Sequence, residues 1–307
     1  MLAEKFYKQL VAGYEKLSKE SSDQEKTKIH TLRGANSGCI TEEGQIVGAD
    51  PRTTVLRYLG IQIPTTIDDE LLFQAGHANE DMLADWMTSA NMSFRREEEC
   101  PVKWECSYGG KTSPVSGRPD FIVNNDDGTP AYGIELKGIF GTGTLVEVAH
   151  FCGSTPKPVN VCQAAHYSWQ NDKLPWLLQY VNRGYHNVFY FGTAKFPVNH
   201  RAVKRDEKTG KQITVGPFTT IYELTWDEDT LLIDDQPSII TSAGIQRYYE
   251  YILKCIATKT IPQAHDSIDV WGNKLKKDKS KLYYDFADCR TDSWDNWLED
   301  CFEKTQL

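Results

Sequence analysis

The sequence predicts an α/β fold in which helices flank a mixed central β-sheet, with a helical extension at each end of the chain. Two short runs at 117–123 and 133–137 have strand composition and are joined by a segment dense in turn formers. A helical pattern over residues 68–90 precedes them. Runs rich in β-branched and aromatic residues at 187–194 and 212–226 flank a charged turn, which predicts a hairpin that extends the sheet.

These patterns divide the 307-residue chain into three segments. We expect an N-terminal helical arm and linker (1–64), a core (65–226) and a C-terminal helical extension (227–307). The arm begins with an amphipathic helix that reaches about Leu17, and the extension is helical from about Thr241. Since 40% of the residues are hydrophobic, the chain can bury a full core, and we expect the segments to pack as one globular unit.

The first element of the core is a helix over residues 68–90, which contain strong helix formers and no proline. Glu80, Leu83 and Met87 fall on one face at helical spacing. Gly76 lies one turn before Glu80 on that face. A glycine there costs about 1 kcal/mol of helix propensity and lets another backbone or a nucleic acid approach closely.

The next elements are the two strands that carry the main charged residues. Side chains two apart in a strand share a face, so Glu135 and Lys137 project together while Leu136 points into apolar packing. If Val123 pairs near residue 131, the hairpin register places Asp120 opposite residue 134 or 135. Asp120 and Glu135 are then close enough to share an ion.

Two adjacent carboxylates repel and raise one another's pKa, so a site that keeps both ionised needs a compensating cation. Mg²⁺ takes oxygen ligands and is commonly bound by one or two carboxylates together with water and substrate phosphate. The Lys137 ammonium can orient an attacking water or stabilise transition-state charge. The pattern therefore favours phosphodiester cleavage, and the alternative interpretation is a solvated ion-pair face.

The residues Pro119-Asp120 followed by Glu135-Leu136-Lys137 resemble the motif of the PD-(D/E)xK nuclease superfamily. Residues 76–80 (GHANE) resemble the Gly-x-x-x-Glu helix of phage lambda-type and YqaJ-type exonucleases, and residues 163–167 (QAAHY) resemble the Gln-x-x-x-Tyr motif of RecB-like nucleases. The order of these elements along the chain is the order of the superfamily core. The resemblance covers roughly residues 72–195.

This resemblance implies a restriction-endonuclease-like core that binds Mg²⁺ or Mn²⁺. It implies that Asp120 and Glu135 bind the metal, that Lys137 assists the water, and that Glu80 completes the acidic set. His77 is an alternative ligand, because in RecB-like and CRISPR-associated relatives a histidine on this helix serves the metal. For Glu80 and His77 the competing interpretation is a pair of surface side chains.

The resemblance also places the helix with Gln163 and Tyr167 beside the active site. These residues are one helical turn apart, with His166 adjacent, and the Gln amide and Tyr hydroxyl are good phosphate-contacting groups. They would hold Lys137, a water or the DNA backbone. The alternative is an amphipathic helix whose polar residues face solvent.

The net charge of −9 and pI near 5.3 argue against a protein that coats nucleic acid nonspecifically, so positive charge must be concentrated locally. A lysine cluster at residues 274–281 is bracketed by aromatic residues, a combination suited to single-stranded or frayed ends. A solvated lysine loop is the alternative. Lys157, in the long connection over residues 138–158, and Lys195, at a strand end, are candidate DNA contacts.

Eight cysteines and no secretion signal predict free, mostly buried thiols. Some CRISPR-associated and helicase-linked RecB-like nucleases hold an iron–sulfur cluster with one cysteine before the core and three after it. Cys39 precedes the core here, and Cys255, Cys289 and Cys301 follow it. The Cys-x-x-Cys spacing expected of the later group is missing, which argues against a cluster.

The sequence therefore predicts a metal-dependent deoxyribonuclease, most simply an exonuclease acting in recombination, repair or phage DNA processing. Its partners would be linear DNA ends or single-stranded segments, with a homo-oligomer or a recombination protein as further partners. With no apolar run near twenty residues, we expect no membrane association and a cytoplasmic location in a bacterial or phage-infected cell. The alternatives are an endonuclease of the same superfamily and a noncatalytic DNA-binding protein on a nuclease fold.

Overall fold

The computed structural model describes residues 31–60, 67–96, 102–139, 156–182, 202–205, 212–215, 219–262 and 268–274, together with Gly13. The helices in these ranges are α1 (Pro51–Tyr58), α2 (Ile67–Ser89), α3 (Pro158–Gln170) and α4 (Ser242–Ala257). The strands are β1 (Leu32–Arg33), β2 (Gly38–Ile40), β3 (Ile46–Gly48), β4 (Phe94–Arg96), β5 (Val102–Tyr108), β6 (Lys111–Gly117), β7 (Phe121–Asn124), β8 (Pro130–Ile139), β9 (Trp176–Asn182), β10 (Ala202–Arg205), β11 (Gln212–Val215), β12 (Thr219–Asp227), β13 (Thr230–Ile233) and β14 (Gln236–Thr241).

A seven-stranded sheet in the order β14-β13-β12-β9-β8-β7-β4 forms the centre of the fold. Strands β8 and β9 pair in parallel, whereas the other neighbours in this sheet pair antiparallel. The sheet is therefore mixed, and with helices packed on it the predicted α/β class is confirmed.

Strands β7 and β8 form the predicted hairpin, but β7 begins at Phe121 rather than at residue 117, where the expected run starts, because Gly117 ends β6. Phe121 pairs with Ile134 and Val123 pairs with Tyr132, one residue from the predicted partner of Val123. At the turn, Asp127 accepts hydrogen bonds from the Thr129 amide and hydroxyl, and Gly128 adopts a positive φ of 84°, where glycine is favoured. The turn residues thus fix the register on which the site depends.

Helix α2 covers one face of the sheet at its β7–β8 end. It spans Ile67–Ser89, within one residue of the predicted bounds. Ala84 and Met87 pack against a cluster contributed by β7 and β8 that includes Phe121, Val123 and Ile134. The helical face predicted from Leu83 and its neighbours is therefore the buried face.

Helices α3 and α4 cover the opposite face. The core there joins α3 and α4 to the central strands, with Val161, Tyr248 and Leu178 fully buried. Thr241 caps α4 by accepting a hydrogen bond from the amide of Gly244 at 2.9 Å, as expected of an N-cap residue. The helix begins at Ser242, next to the predicted start.

Two expectations about the flanking segments differ from the structure. Residues 31–60 were expected to belong to a helical arm and linker, but they contain β1, the β2–β3 pair and α1, and β1 pairs in parallel with β6. Residues 230–241, assigned to the helical extension, form β13 and β14 and continue the central sheet. At the N-terminal end the strands have only two or three residues, and β1 pairs with β6 about eighty residues away, so local periodicity does not reveal them. Strands β13 and β14 instead form a local hairpin that turns at Asp234 and Asp235, and the prediction overlooked this local signal.

Strands β10 and β11 form a separate antiparallel pair, whereas β12 joins the central sheet. The expected hairpin partner at 187–194 lies outside the described residues, as do Lys195, the lysines after Lys274, and the N-terminal helix apart from Gly13. None of the helices in the described ranges is long and apolar enough to cross a lipid bilayer.

Candidate active site

Asp120 and Glu135 lie next to one another on the face of the sheet that packs against α3. Because Phe121 pairs with Ile134, the preceding Asp120 lies beside the following Glu135. Asp120 Oδ2 accepts a hydrogen bond from the backbone N–H of Leu136 at 2.6 Å. The two predicted carboxylates are therefore brought together, with Glu135 buried and Asp120 partly exposed.

Lys137 lies on the same face as Glu135, two residues further along β8. Its Nζ lies 2.5 Å from Glu135 Oε1. Burial alone would lower the Lys137 pKa, but Glu135 and Asp120 outweigh that effect and the pKa is raised. The amine is therefore held as an ammonium, and its side chain keeps about a quarter of its surface exposed, at 26%.

The Asp120 carboxyl has a pKa well above its usual range. Burial is the largest cause, followed by the negative charge of Glu135, while Lys137 and the Leu136 amide oppose the shift. One ammonium does not compensate two neighbouring carboxylates, so full ionisation of the pair calls for a further positive charge.

Glu80 contributes a third acidic group near this pair. It is close enough for its charge to raise the Asp120 pKa further. Its Oε2 lies 3.6 Å from Nδ1 of His77, whose side chain is 63% exposed. The structure thus brings Glu80 toward Asp120, whereas the His77 side chain is mostly exposed to solvent.

Among the described residues, no group of three or more His, Cys, Asp or Glu side chains is close enough to hold a metal ion by itself. The candidate site is therefore a pair of carboxylates with Glu80 nearby rather than a complete cage of protein ligands.

Gln163 and Tyr167 lie on the side of α3 that faces the site. The Gln163 amide donates to the Tyr167 hydroxyl at 3.4 Å. Burial and then the nearby Glu135 charge raise the Tyr167 pKa well above its usual value. The hydroxyl is therefore protonated, and it lies within electrostatic range of the acidic pair.

Two glycines make room for the Tyr167 ring. A Cβ built on Gly117 would lie 2.3 Å from Tyr167 Cε1, and one built on Gly34 would lie 2.5 Å from the same atom. Such distances are far inside van der Waals contact, so both backbones lie directly against the ring. Tyr167 therefore packs on the segment that leads into Asp120.

His166, expected to support the site, is instead fully buried on another side of α3. It lies among the rings of Trp104, Tyr167, Trp169 and Tyr249, with centroids 5.4–6.3 Å away. Burial lowers its pKa to about 3. The adjacency to Tyr167 in sequence was misleading, because consecutive helix residues point about 100° apart.

Lys157 is the exposed N-cap residue of α3, and its side chain makes no capping hydrogen bond. Its backbone N–H donates to the Tyr180 hydroxyl at 3.1 Å, and the Asn160 side-chain amide donates to the same oxygen at 3.1 Å. The sequence did not predict a role for Tyr180. Tyr180 alternates with apolar residues along β9, and this pattern predicts burial but not a polar contact.

Four of the eight cysteines are described, namely Cys39, Cys106, Cys162 and Cys255, and all are free and buried, as expected. Burial raises the pKa of Cys39 to about 11. Cys289 and Cys301 lie outside the described residues, so the iron–sulfur alternative stays untested.

No protein-family model matches the chain, and no curated protein matches it in sequence. Among solved structures, the chain is similar to one described as the crystal structure of SSO0001, with a TM-score of 0.41 and 17% sequence identity. The match covers 78% of this chain and 85% of that one.

Proposed function

We propose that the protein is a divalent-metal-dependent DNA nuclease, most simply an exonuclease acting in recombination, repair or phage DNA processing. The observation that supports this proposal is the placement of Asp120 beside Glu135 with the Lys137 ammonium 2.5 Å from Glu135. Two carboxylates and one amine on a sheet face, partly open to solvent, can support metal-assisted hydrolysis of a phosphodiester.

The donor set fits Mg²⁺, or Mn²⁺ as its substitute. Asp120 and Glu135 would supply oxygen ligands, and Glu80 would supply a third, directly or through water. Two carboxylates with water and substrate phosphate are a common Mg²⁺ environment, so a full cage of protein ligands is not required. When bound, the ion would neutralise charge on the phosphoryl group and lower the pKa of a water.

The remaining chemistry falls to the residues of the chain. The Lys137 ammonium would orient the attacking water and stabilise the negative charge that develops on the phosphoryl oxygens. The Leu136 amide holds Asp120 in place through its 2.6 Å hydrogen bond. Gln163, which is partly exposed, would contact the DNA backbone, whereas the buried Tyr167 would keep the Gln163 and Lys137 side chains oriented.

DNA is a polyanion, so an acidic protein that cuts it needs an open surface near the site where a DNA strand can lie. Helix α2 is open at Gly76, where an added Cβ would meet no described atom within 4 Å. This opening lies one turn from Glu80, so a DNA strand can approach the helix backbone there. Arg118, exposed and two residues before Asp120, would add positive charge near the carboxylates.

The test is incubation of the purified chain with end-labelled linear DNA and with closed circular DNA, each with and without magnesium. We expect magnesium-dependent release of short products from linear DNA. Asp120→Asn should abolish it, whereas Asp126→Asn, an exposed carboxylate in the same hairpin, should not. Cleavage of circular DNA would reassign the protein to endonucleases, and the absence of metal-dependent cleavage of any DNA would refute the proposal.

A further inference from the structure

Tyr180 lies on the strand next to the one that carries the ion pair. In the parallel β8–β9 pairing, Lys137 is the register partner of Tyr180, and Glu135 is the partner of Leu178. Register partners in neighbouring strands project from the same face. Tyr180 is 2% exposed, so its ring is fixed in the core beside Lys137.

The Tyr180 hydroxyl connects this strand to the start of α3. It accepts the backbone N–H of Lys157 and the side-chain amide of Asn160, both at 3.1 Å. Since the Lys157 side chain forms no cap, the phenol oxygen binds the first turn of the helix from outside the helix. Burial raises the Tyr180 pKa to about 12, so the phenol keeps its proton while its oxygen accepts these two bonds.

The same helix carries the residues that face the acidic pair. Asn160, Gln163 and Tyr167 follow at i, i+3 and i+7 and lie on one side of α3. A shift of the first turn of α3 would therefore move Gln163 and Tyr167 relative to Glu135 and Lys137.

We propose that Tyr180 is a positioning residue: its hydroxyl fixes the first turn of α3 over Lys137 and so aligns the Gln163–Tyr167 side of the helix with the ion pair. This inference rests on the proposed nuclease function. It concerns turnover rather than substrate binding, because Tyr180 is buried and does not reach the surface at which DNA would lie.

The test compares steady-state cleavage of linear DNA by the unmodified full chain and by Tyr180→Phe, which removes the hydroxyl and keeps the ring. We expect kcat to fall about tenfold with KM unchanged, the size of effect seen when a group that orients a site is removed. Tyr222→Phe is the matched control. Tyr222 is a buried tyrosine on β12 whose ring packs edge-to-face on Tyr180, with ring centroids 6.1 Å apart. Removal of the Tyr222 hydroxyl should leave kcat unchanged.

Asn160→Ala provides a second variant that keeps the Tyr180 hydroxyl. It should lower kcat by less than Tyr180→Phe, and the double variant should be no slower than Tyr180→Phe alone, because both act through one contact. If Tyr180→Phe does not fold, a lowered kcat with unchanged KM in Asn160→Ala supports the inference, and an unchanged kcat there overturns it.

The outcomes separate the two proposals. Unchanged kcat in both Tyr180→Phe and Asn160→Ala, beside an active unmodified protein, overturns the positioning role alone. No metal-dependent cleavage by the unmodified protein overturns the nuclease function and the positioning role with it.

Discussion

Asp120, the residue immediately before β7, is hydrogen-bonded to the strand that carries its acidic partner: its Oδ2 accepts the backbone N–H of Leu136 at 2.6 Å. Leu136 lies between Glu135 and Lys137, so one hydrogen bond sets the position of Asp120 relative to both. The sheet therefore holds two repelling carboxylates together at a cost in stability, a common feature of functional sites.

Asp120→Asn should stabilise the metal-free protein while abolishing activity. The change removes the repulsion with Glu135, and the amide oxygen can still accept the Leu136 N–H. A raised folded-state pKa favours the folded state at low pH and loses that benefit as pH rises through it, so the stability gained from the neutral amide should grow as pH rises. Thermal melting in a chelator should show Tm higher by on the order of 2 °C or more. A lower Tm in the variant would show that the carboxylate pair is not strained.

Lys137→Met should destabilise the fold, because it leaves Glu135, 1% exposed, without its ammonium. Loss of one partner of a buried pair costs about 3–5 kcal/mol, less for a pair that is partly exposed. The double variant Glu135→Gln with Lys137→Met should recover most of the loss. Urea unfolding without metal measures the free energy of unfolding of the single and the double variant. Equal instability of the two variants would contradict the ion-pair account.

Gly117→Ala should cost about 1–3 kcal/mol and reduce cleavage, because the new Cβ would lie 2.3 Å from Tyr167 Cε1 and the ring is buried. Gly76→Ala is the contrast. The Cβ that it adds would have no described atom within 4 Å, so the substitution should stabilise α2 by up to about 1 kcal/mol. Urea unfolding of both variants is the measurement, and a neutral Gly117→Ala would show that Tyr167 does not pack there.

His166 should make the protein acid-sensitive. Its folded pKa is about 3 against an ordinary 6.5, so the unfolded chain takes up the proton first as pH falls. Stability present above pH 6.5 is then lost at about 1.4 kcal/mol per pH unit between 6.5 and 3. His166→Phe should flatten this part of the stability–pH curve in urea unfolding at several pH values. If the stability–pH curves of the variant and the unmodified protein run parallel, His166 is not the cause of the acid sensitivity.

The parts of the fold that the sequence predicted are those with a local periodic signal. Helix α2 was placed within one residue because its apolar spacing and lack of proline are local properties. The β7–β8 register followed from a turn of known chemistry and from alternation around Glu135. That register alone was enough to predict that Asp120 and Glu135 are neighbours.

Apart from the local β13–β14 hairpin, the parts that were missed depend on contacts distant in sequence. Gly34 packs against Tyr167, more than a hundred residues away, and Ser37 shares a 2.7 Å hydrogen bond with Tyr249 across 212 residues. His166 was expected beside the site because the motif includes its neighbour Tyr167, but burial depends on which helices pack around it. The contact of Tyr180 with Lys157 could not be predicted, because it depends on how α3 packs over β9.

The most direct test of the central claim is the anomalous scattering of manganese in crystals soaked with Mn²⁺. We predict a peak between the carboxylates of Asp120 and Glu135, absent from crystals of Asp120→Asn and retained in Asp126→Asn. A peak elsewhere, or none at this pair in the unmodified protein, would contradict the account.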